Sequence, residues 1–89
     1  AVKEKEIAPT TYELSVTGGA VMLALPALTD GELYVLDVVG RRRLTLHEGN
    51  LAAGVHEFKL DESALPSGVY FIKFSSAAAN LTRKTVFVR

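Results

Sequence analysis

The chain has 89 residues, the length of one small domain. Ten Lys and Arg residues balance ten Asp and Glu residues, so the chain has no net charge to attract nucleic acid or an anionic membrane. It contains no cysteine, which excludes disulfides and thiolate metal sites. No apolar run approaches the roughly 18 residues that span a bilayer. These totals predict a domain with no nucleic-acid partner and no membrane insertion.

The first ten residues, AVKEKEIAPT, include four consecutive charged residues and a proline near their end. This composition predicts a linker or lead-in over residues 1–10 and a folded domain over residues 11–89. The chain begins at Ala1, without a methionine, a basic leader or a signal-type apolar stretch. We interpret it as a piece of a larger protein.

Beyond the lead-in the hydrophobic period is two, which is typical of half-buried β-strands. Seven segments carry it: YELSVT (12–17), AVMLAL (20–25), GELYVLDV (31–38), RLTLHE (43–48), VHEFKLD (55–61), VYFIKF (69–74) and NLTRKTVFVR (80–89). Seven short strands without a helical stripe predict an all-β fold, an immunoglobulin-like antiparallel β-sandwich. A barrel of six or seven strands is the alternative, and DESALP (61–66) has room for one helical turn.

Glycine and proline residues mark the turns between these segments. Gly18-Gly19 and Thr29-Asp30-Gly31 each predict a turn, and Pro26 ends the second strand. Gly40 is placed to take the left-handed conformation that closes a bulged hairpin. Gly49-Asn50 and Ala53-Gly54 are interpreted as the two ends of a loop.

The segment LPSGVYFIKF, residues 65–74, combines a turn signal with the most apolar strand. Pro66 presets φ for a turn and Gly68 closes it without a Cβ clash. Alternation then places Tyr70, Ile72 and Phe74 on one face and Val69, Phe71 and Lys73 on the other. Burying such side chains contributes about 1.5–3 kcal/mol each, so we expect this strand at the centre of the core.

The sequence lacks a convergent catalytic motif. His47 and His56 stand alone, and the adjacent Asp61 and Glu62 would face opposite ways on a strand. Neither Ser63 nor Ser67 lies in a nucleophile-elbow context. We therefore predict that the chain is not an enzyme and uses no cofactor or metal. The run 41–43, three arginines, is interpreted as a solvated hairpin end, with an anionic partner surface as the alternative.

Four motifs in order resemble the type A C-terminal sorting domain of type IX secretion cargo in Bacteroidetes, and the related immunoglobulin-like domain of the flagellar hook-capping protein. They are LYVLDVVGRRRL (33–44), EGNLAAGVHEFKLD (48–61), SALPSGVYFIKF (63–74) and LTRKTVFVR (81–89). The matched positions are Asp37, Gly40, Arg41, Gly54, Leu65, Pro66, Gly68, Val69 and Tyr70, with a basic, apolar final strand. The family usually carries Pro-Asn-Pro where this chain has Thr17-Gly18-Gly19.

The resemblance implies a function in delivery and places this chain at the C-terminus of an exported protein. The domain would pass from the periplasm through the type IX translocon in the outer membrane, meeting a shuttle and a sortase-like peptidase. The cargo would reach the cell surface or the medium, with the domain acting as a monomeric tag. For recognition by the machinery we predict the final segment, Lys84, Thr85, Val86, Phe87, Val88 and Arg89.

Two other functions fit the same strand pattern. One is an immunoglobulin-like structural or linker module of a modular extracellular enzyme or hook-capping-type protein. The other is a carbohydrate-binding module, which would need an exposed aromatic platform. The three tyrosines and four phenylalanines lie mostly at strand positions that are predicted to be buried.

Overall fold

The computed structural model describes residues 9–60 and 65–88. The seven strands are β1 (Glu13–Thr17), β2 (Ala20–Leu25), β3 (Thr29–Leu36), β4 (Arg42–Leu51), β5 (Gly54–Lys59), β6 (Gly68–Ser76) and β7 (Asn80–Phe87). The all-β prediction is confirmed, and the described ranges contain no helix that could cross a membrane. The possible helical turn at 61–66 falls largely on residues 61–64, which lie outside the described residues.

The strands form two antiparallel sheets. One has the order β1-β2-β5 and the other has the order β4-β3-β6-β7. In a constant-type immunoglobulin domain the fourth strand joins the first sheet, giving four strands facing three. Here β4 pairs with β3 instead, so the larger sheet contains β3, β6 and β7. The predicted immunoglobulin-like sandwich is confirmed.

Inward-facing side chains of both sheets form one core. Its buried members are Leu14, Val21, Leu23, Leu25, Leu33, Val35, Leu60, Leu65, Tyr70, Ile72, Phe74 and Phe87. β6 lies between β3 and β7 and supplies three of them, as its alternation predicts. Because β6 is hydrogen-bonded on both sides and apolar on its inner face, the expectation that residues 69–74 form the centre of the core is confirmed.

A two-residue turn joins β1 to β2. Gly18 and Gly19 have φ values of 56° and 81°, and Thr17 pairs with Ala20. Two consecutive positive φ values define a type I′ hairpin, whose twist matches that of the strands. The carbonyl oxygen of Gly19 also accepts a 2.8 Å hydrogen bond from the N–H of Leu60. The turn therefore holds the end of β5 in place.

The predicted turn at Thr29–Gly31 is wrong, because these residues begin β3. The buried Thr29 hydroxyl donates to the carbonyl oxygen of Ala27 at 2.8 Å and accepts from the Tyr12 hydroxyl at 3.1 Å. A Cβ at Gly31 would lie 2.8 Å from the carbonyl oxygen of Ser75 and 2.9 Å from the Phe74 ring. Gly31 serves close packing in a strand rather than a turn.

β4 is longer than predicted and irregular. Gly49 and Asn50 pair with β3 and do not begin a loop; the loop contains Ala52 and Ala53. Two register shifts interrupt the β3–β4 ladder, one of them where Leu33 pairs with His47 and Tyr34 with Thr45. Strict alternation predicts that His47 faces away from the leucines, but this bulge buries its Nε2 atom, and its ring lies 6.0 Å from the Phe58 ring.

Candidate recognition site

One end of the larger sheet collects most of the predicted motif residues. β3 ends there, β6 begins there and β7 ends there, because neighbouring strands are antiparallel. We call it the corner end, defined by the turn 37–41, the bend 65–68 and residues 87–88, where β7 ends. Gly54 is the exception, since it pairs with Leu25 at the opposite end. Arg89 lies outside the described residues.

The turn between β3 and β4 is closed by its own backbone. The N–H of Gly40 donates to the carbonyl oxygen of Asp37 at 3.0 Å, and the N–H of Asp37 donates to the carbonyl oxygen of Arg41 at 2.9 Å. Gly40 has φ of 90°, which only glycine adopts readily. The predicted bulged hairpin is therefore present. Val38 and Val39 form its tip, with 66% and 69% of their surfaces exposed.

Asp37 organises this turn through its carboxylate. Oδ1 accepts hydrogen bonds from the backbone N–H groups of Arg41, at 2.9 Å, and Val39, at 3.1 Å. Oδ2 lies 3.2 Å from Nε of Arg41 and 3.6 Å from Nη1 of Arg43. The hydrogen bond from the Arg41 N–H has the largest effect on the pKa of Asp37, and desolvation, which raises the pKa, has the second largest. The Val39 N–H and the charge and side-chain hydrogen bond of Arg41 add to the first, so the pKa lies below its ordinary value.

The bend before β6 is tied by a side chain. The hydroxyl of Tyr70 donates a 2.7 Å hydrogen bond to the carbonyl oxygen of Pro66, four residues upstream. This is the tyrosine corner of immunoglobulin-like domains, at the start of the equivalent strand. The Tyr70 ring also packs against the buried Phe87 ring, with centroids 5.3 Å apart. The bend and the end of β7 are thus held by one tyrosine.

β7 is the edge strand of the larger sheet, and its side chains alternate. Lys84 and Val86 are exposed and point outward, since they pair with outward-facing residues of β6. Phe87 points into the core, and Thr85 is half-buried on the same side. Of the described residues in the predicted recognition segment, Lys84, Val86 and Val88 offer exposed side chains to a partner. Phe87 contributes to packing.

The outer face of the larger sheet combines apolar and basic side chains. One row across the strands reads Leu36, Phe71 and Lys84, and the next reads Tyr34, Lys73 and Thr82. The rows belong to one surface because directly paired residues share a face. The guanidinium of Arg42 lies 3.9 Å from the centre of the Tyr34 ring. Tyr34 is therefore covered by a cation and does not form a bare sugar-stacking platform.

The arginines of the run 41–43 are engaged within the chain. Arg41 and Arg43 contact Asp37, and Arg42 lies 3.0 Å from Glu32 and 3.9 Å from Glu48. In contrast, Lys73, Arg83 and Lys84 have no carboxylate within 4.0 Å among residues 9–60 and 65–88. The cations that the described residues leave available to an acidic partner therefore lie outside the arginine run, on β5 (Lys59), β6 and β7.

The histidines do not form a metal site. Nε2 of His56 lies 2.7 Å from the carbonyl oxygen of Ala52, so that nitrogen carries the proton and donates it. No group of three or more potential ligands from His, Cys, Asp and Glu occurs within the described ranges. His56 therefore holds the loop before β5.

Sequence reasoning did not find two features of this site. It placed Tyr70 on the core face and among the family motif positions but did not predict its hydrogen bond to the bend, which is typical of a tyrosine near the start of this strand in immunoglobulin-like domains. It also did not predict that Arg83 and Lys84 lie on opposite faces of β7. Arg83 pairs with the inward-facing Ile72, so it is a cation on the inner side of an edge strand.

Comparison with known proteins agrees with this architecture. The profile of the family described as secretion system C-terminal sorting domain matches residues 9–88. The match begins before β1 and includes all seven strands. No curated protein and no solved structure matches the chain. Because the family profile accounts for nearly the whole chain, the chain belongs to the family of secretion system C-terminal sorting domains, the sorting signals of type IX secretion.

Proposed function

We propose that this domain is a non-catalytic tag that directs a cargo protein through the type IX translocon and to its attachment at the cell surface. The observation that carries the proposal is the family match over residues 9–88. A shuttle and a sortase-like peptidase are the partners we propose. Residues 11–89 form the tag, and residues 1–10 connect it to the cargo.

We further propose that the machinery reads the exposed part of β7. Lys84 and Val86 stand on an edge strand beside Phe71 and Val69 of β6, and Val88 follows that strand at the corner end. Cations next to apolar side chains on an accessible edge are suited to binding a protein strand or groove. The arginines of the β3–β4 turn contribute less, because their charges are already paired.

Truncation is a poor test of this site. Removing residues 84–89 would also remove Phe87, which is buried and packs on Tyr70. Deleting an aromatic core side chain costs about 3–5 kcal/mol, which is a large part of the stability of a domain this small. A loss of delivery after truncation would report unfolding as readily as lost recognition, so substitutions of exposed residues are needed.

Delivery itself is tested with a reporter protein that carries a signal peptide and this chain at its C-terminus. We expect the reporter at the cell surface of a host with type IX secretion, and in the periplasm of the same host without its translocon. Attachment is tested in the same strains, since removal of the tag shortens the fusion by up to 9.6 kDa on an immunoblot.

Equal surface exposure in both strains would overturn the proposal. A reporter held in the periplasm of both strains would favour a structural or linker module. A reporter that instead bound soluble glycans would favour a carbohydrate-binding module.

A further inference from the structure

Four strands lie at sheet edges, and three of them resist the addition of another strand. β1 has only five residues. β4 carries two register shifts, which twist an edge and break its ladder. β5 has six residues and presents both an acid, Glu57, and a base, Lys59, on its exposed side. Short length, bulges and charged side chains are the usual protections of a sheet edge.

β7 is neither short nor bulged, and two cations protect it instead. It has eight residues, pairs with β6 without a register shift, and carries Arg83 and Lys84 at its middle with no acidic residue. β1 lies near β7 but shares no ladder with it. Beyond its ladder with β6, the one hydrogen bond to its backbone from described residues comes from Arg83 Nη1 to the carbonyl oxygen of Thr82, at 2.9 Å.

The two cations oppose pairing between copies of this chain. An antiparallel two-fold pair of β7 strands must place each residue opposite one on the same face. The two registers that pair the largest number of β7 residues are centred on Arg83 or on Lys84. Either one sets a cation directly opposite its own copy, and like charges in that position destabilise a strand pair.

We propose that β7 accepts an extended acidic segment of a partner protein as a fifth strand of the larger sheet. The proposal rests on the recognition role proposed above and names the chemistry of the partner. Arg83 and Lys84 are adjacent, so they point to opposite faces of the strand. Two adjacent acidic residues in the partner place one carboxylate on each face of the strand. Each carboxylate then lies opposite a cation that forms no ion pair with residues 9–60 or 65–88. Val86 of β7 and Val88 just beyond it add apolar contact beside them.

Matched peptides test the pairing directly on the 89-residue chain. Both peptides are as long as β7 and consist of threonine and valine, which favour strands, except at two central positions. These two positions are glutamates in one peptide and lysines in the other. We expect the glutamate peptide to bind about ten-fold more tightly, with amide NMR shifts confined to β7 and its neighbours. The double variant Arg83→Glu and Lys84→Glu is expected to reverse the preference.

Equal affinity for the two peptides, no binding of either, or shifts centred on β4 or β5 would overturn the proposal. So would an unchanged preference in the charge-reversed variant. Binding is measured without a secretion host, so the two proposals fail separately. If the reporter is delivered but the peptides do not discriminate, the acidic-strand partner is wrong. If the peptides discriminate but the reporter is not delivered, the delivery role is wrong.

Self-association provides a second, independent readout. The variant Arg83→Thr and Lys84→Thr removes the opposing charges while keeping β-forming residues, and is expected to dimerise in analytical ultracentrifugation, whereas the unmodified chain stays monomeric. The matched control, Glu57→Thr and Lys59→Thr on β5, is expected to stay monomeric. Circular dichroism establishes that each variant is folded. A folded but monomeric β7 variant would overturn the guarding role of the cations.

Discussion

The hydroxyl of Tyr70 donates a 2.7 Å hydrogen bond to the carbonyl oxygen of Pro66, and the same ring packs on Phe87. The Tyr70 side chain thus links the bend before β6 to Phe87, the core residue at the end of β7. Ile72, two residues after Tyr70, is fully buried where an immunoglobulin domain carries its second disulfide cysteine. In this cysteine-free chain, packing and the corner hydrogen bond stabilise the position.

Replacing Tyr70 by phenylalanine is expected to lower the free energy of unfolding by about 1 kcal/mol, because the Pro66 carbonyl loses its donor while the ring contact remains. Urea denaturation measures the change, with an unaltered slope. Tyr34→Phe is the matched control, since Tyr34 lies on the outer face under Arg42. We expect it to change stability by less than about 0.5 kcal/mol. Equal effects of the two substitutions would contradict the corner.

Gly31→Ala is expected to destabilise the domain by about 1–3 kcal/mol, as overpacking does. The new Cβ would lie 2.8 Å from the Ser75 carbonyl oxygen, a backbone atom that cannot easily move, and 2.9 Å from the Phe74 ring. The control is Asp30→Ala, an exposed neighbour on the same strand. If the midpoints of the two variants coincide in urea, the close approach of β3 and β6 at this point is not as described.

The Asp37 carboxylate makes stability depend on pH. Hydrogen bonds from the backbone of Arg41 and Val39, with the charge of Arg41, lower its folded pKa, so this stabilisation is present above the unfolded value of about 3.9. It is lost as pH falls through the folded pKa. We expect Asp37→Asn to be less stable than the unmodified chain at pH about 7, with a difference that shrinks below pH about 4. A difference that stays constant down to the acid limit would contradict this.

Alternation along the chain was enough to predict the inner face of β6. Tyr70, Ile72 and Phe74 occupy every second position, so the strand presents them on one face, and Lys73 marks the opposite face as the one nearer water. The same reasoning fails for β4, because a bulge depends on how two strands align rather than on either sequence alone. The bulge therefore brings His47 to the inner face, where its Nε2 atom is buried, although alternation places it opposite Leu44 and Leu46.

Glycine was ambiguous for a related reason. Gly18, Gly19 and Gly40 allow positive φ in turns, as predicted, whereas Gly31 leaves room for a carbonyl and a ring. Glycine serves both roles, positive φ in a turn and close packing in a strand, because it lacks a Cβ. The position of the neighbouring strand decides which role applies.

The motif residues of the candidate site could be predicted from the sequence, but not the fact that most of them meet at one end of the larger sheet. The turn 37–41 and the bend 65–68 meet because β3 ends where β6 begins, and that pairing follows from the strand order. Strand order cannot be deduced from alternation. For the same reason Gly54 lies away from the corner end although it belongs to the same series of motifs.

We propose that the sorting machinery recognises the exposed side chains of β7, and not merely a folded domain. Comparing the surface delivery of two charge-altered fusions tests this most directly. One reporter fusion carries Lys84→Glu and Val86→Asp. The other carries Lys59→Glu and Val55→Asp on β5, also an edge strand, whose Val55 is 59% exposed against 53% for Val86. Circular dichroism first establishes that both variant domains are folded. We then predict that surface delivery is lost for the β7 variant and kept for the β5 variant. Equal delivery of the two would contradict the claim.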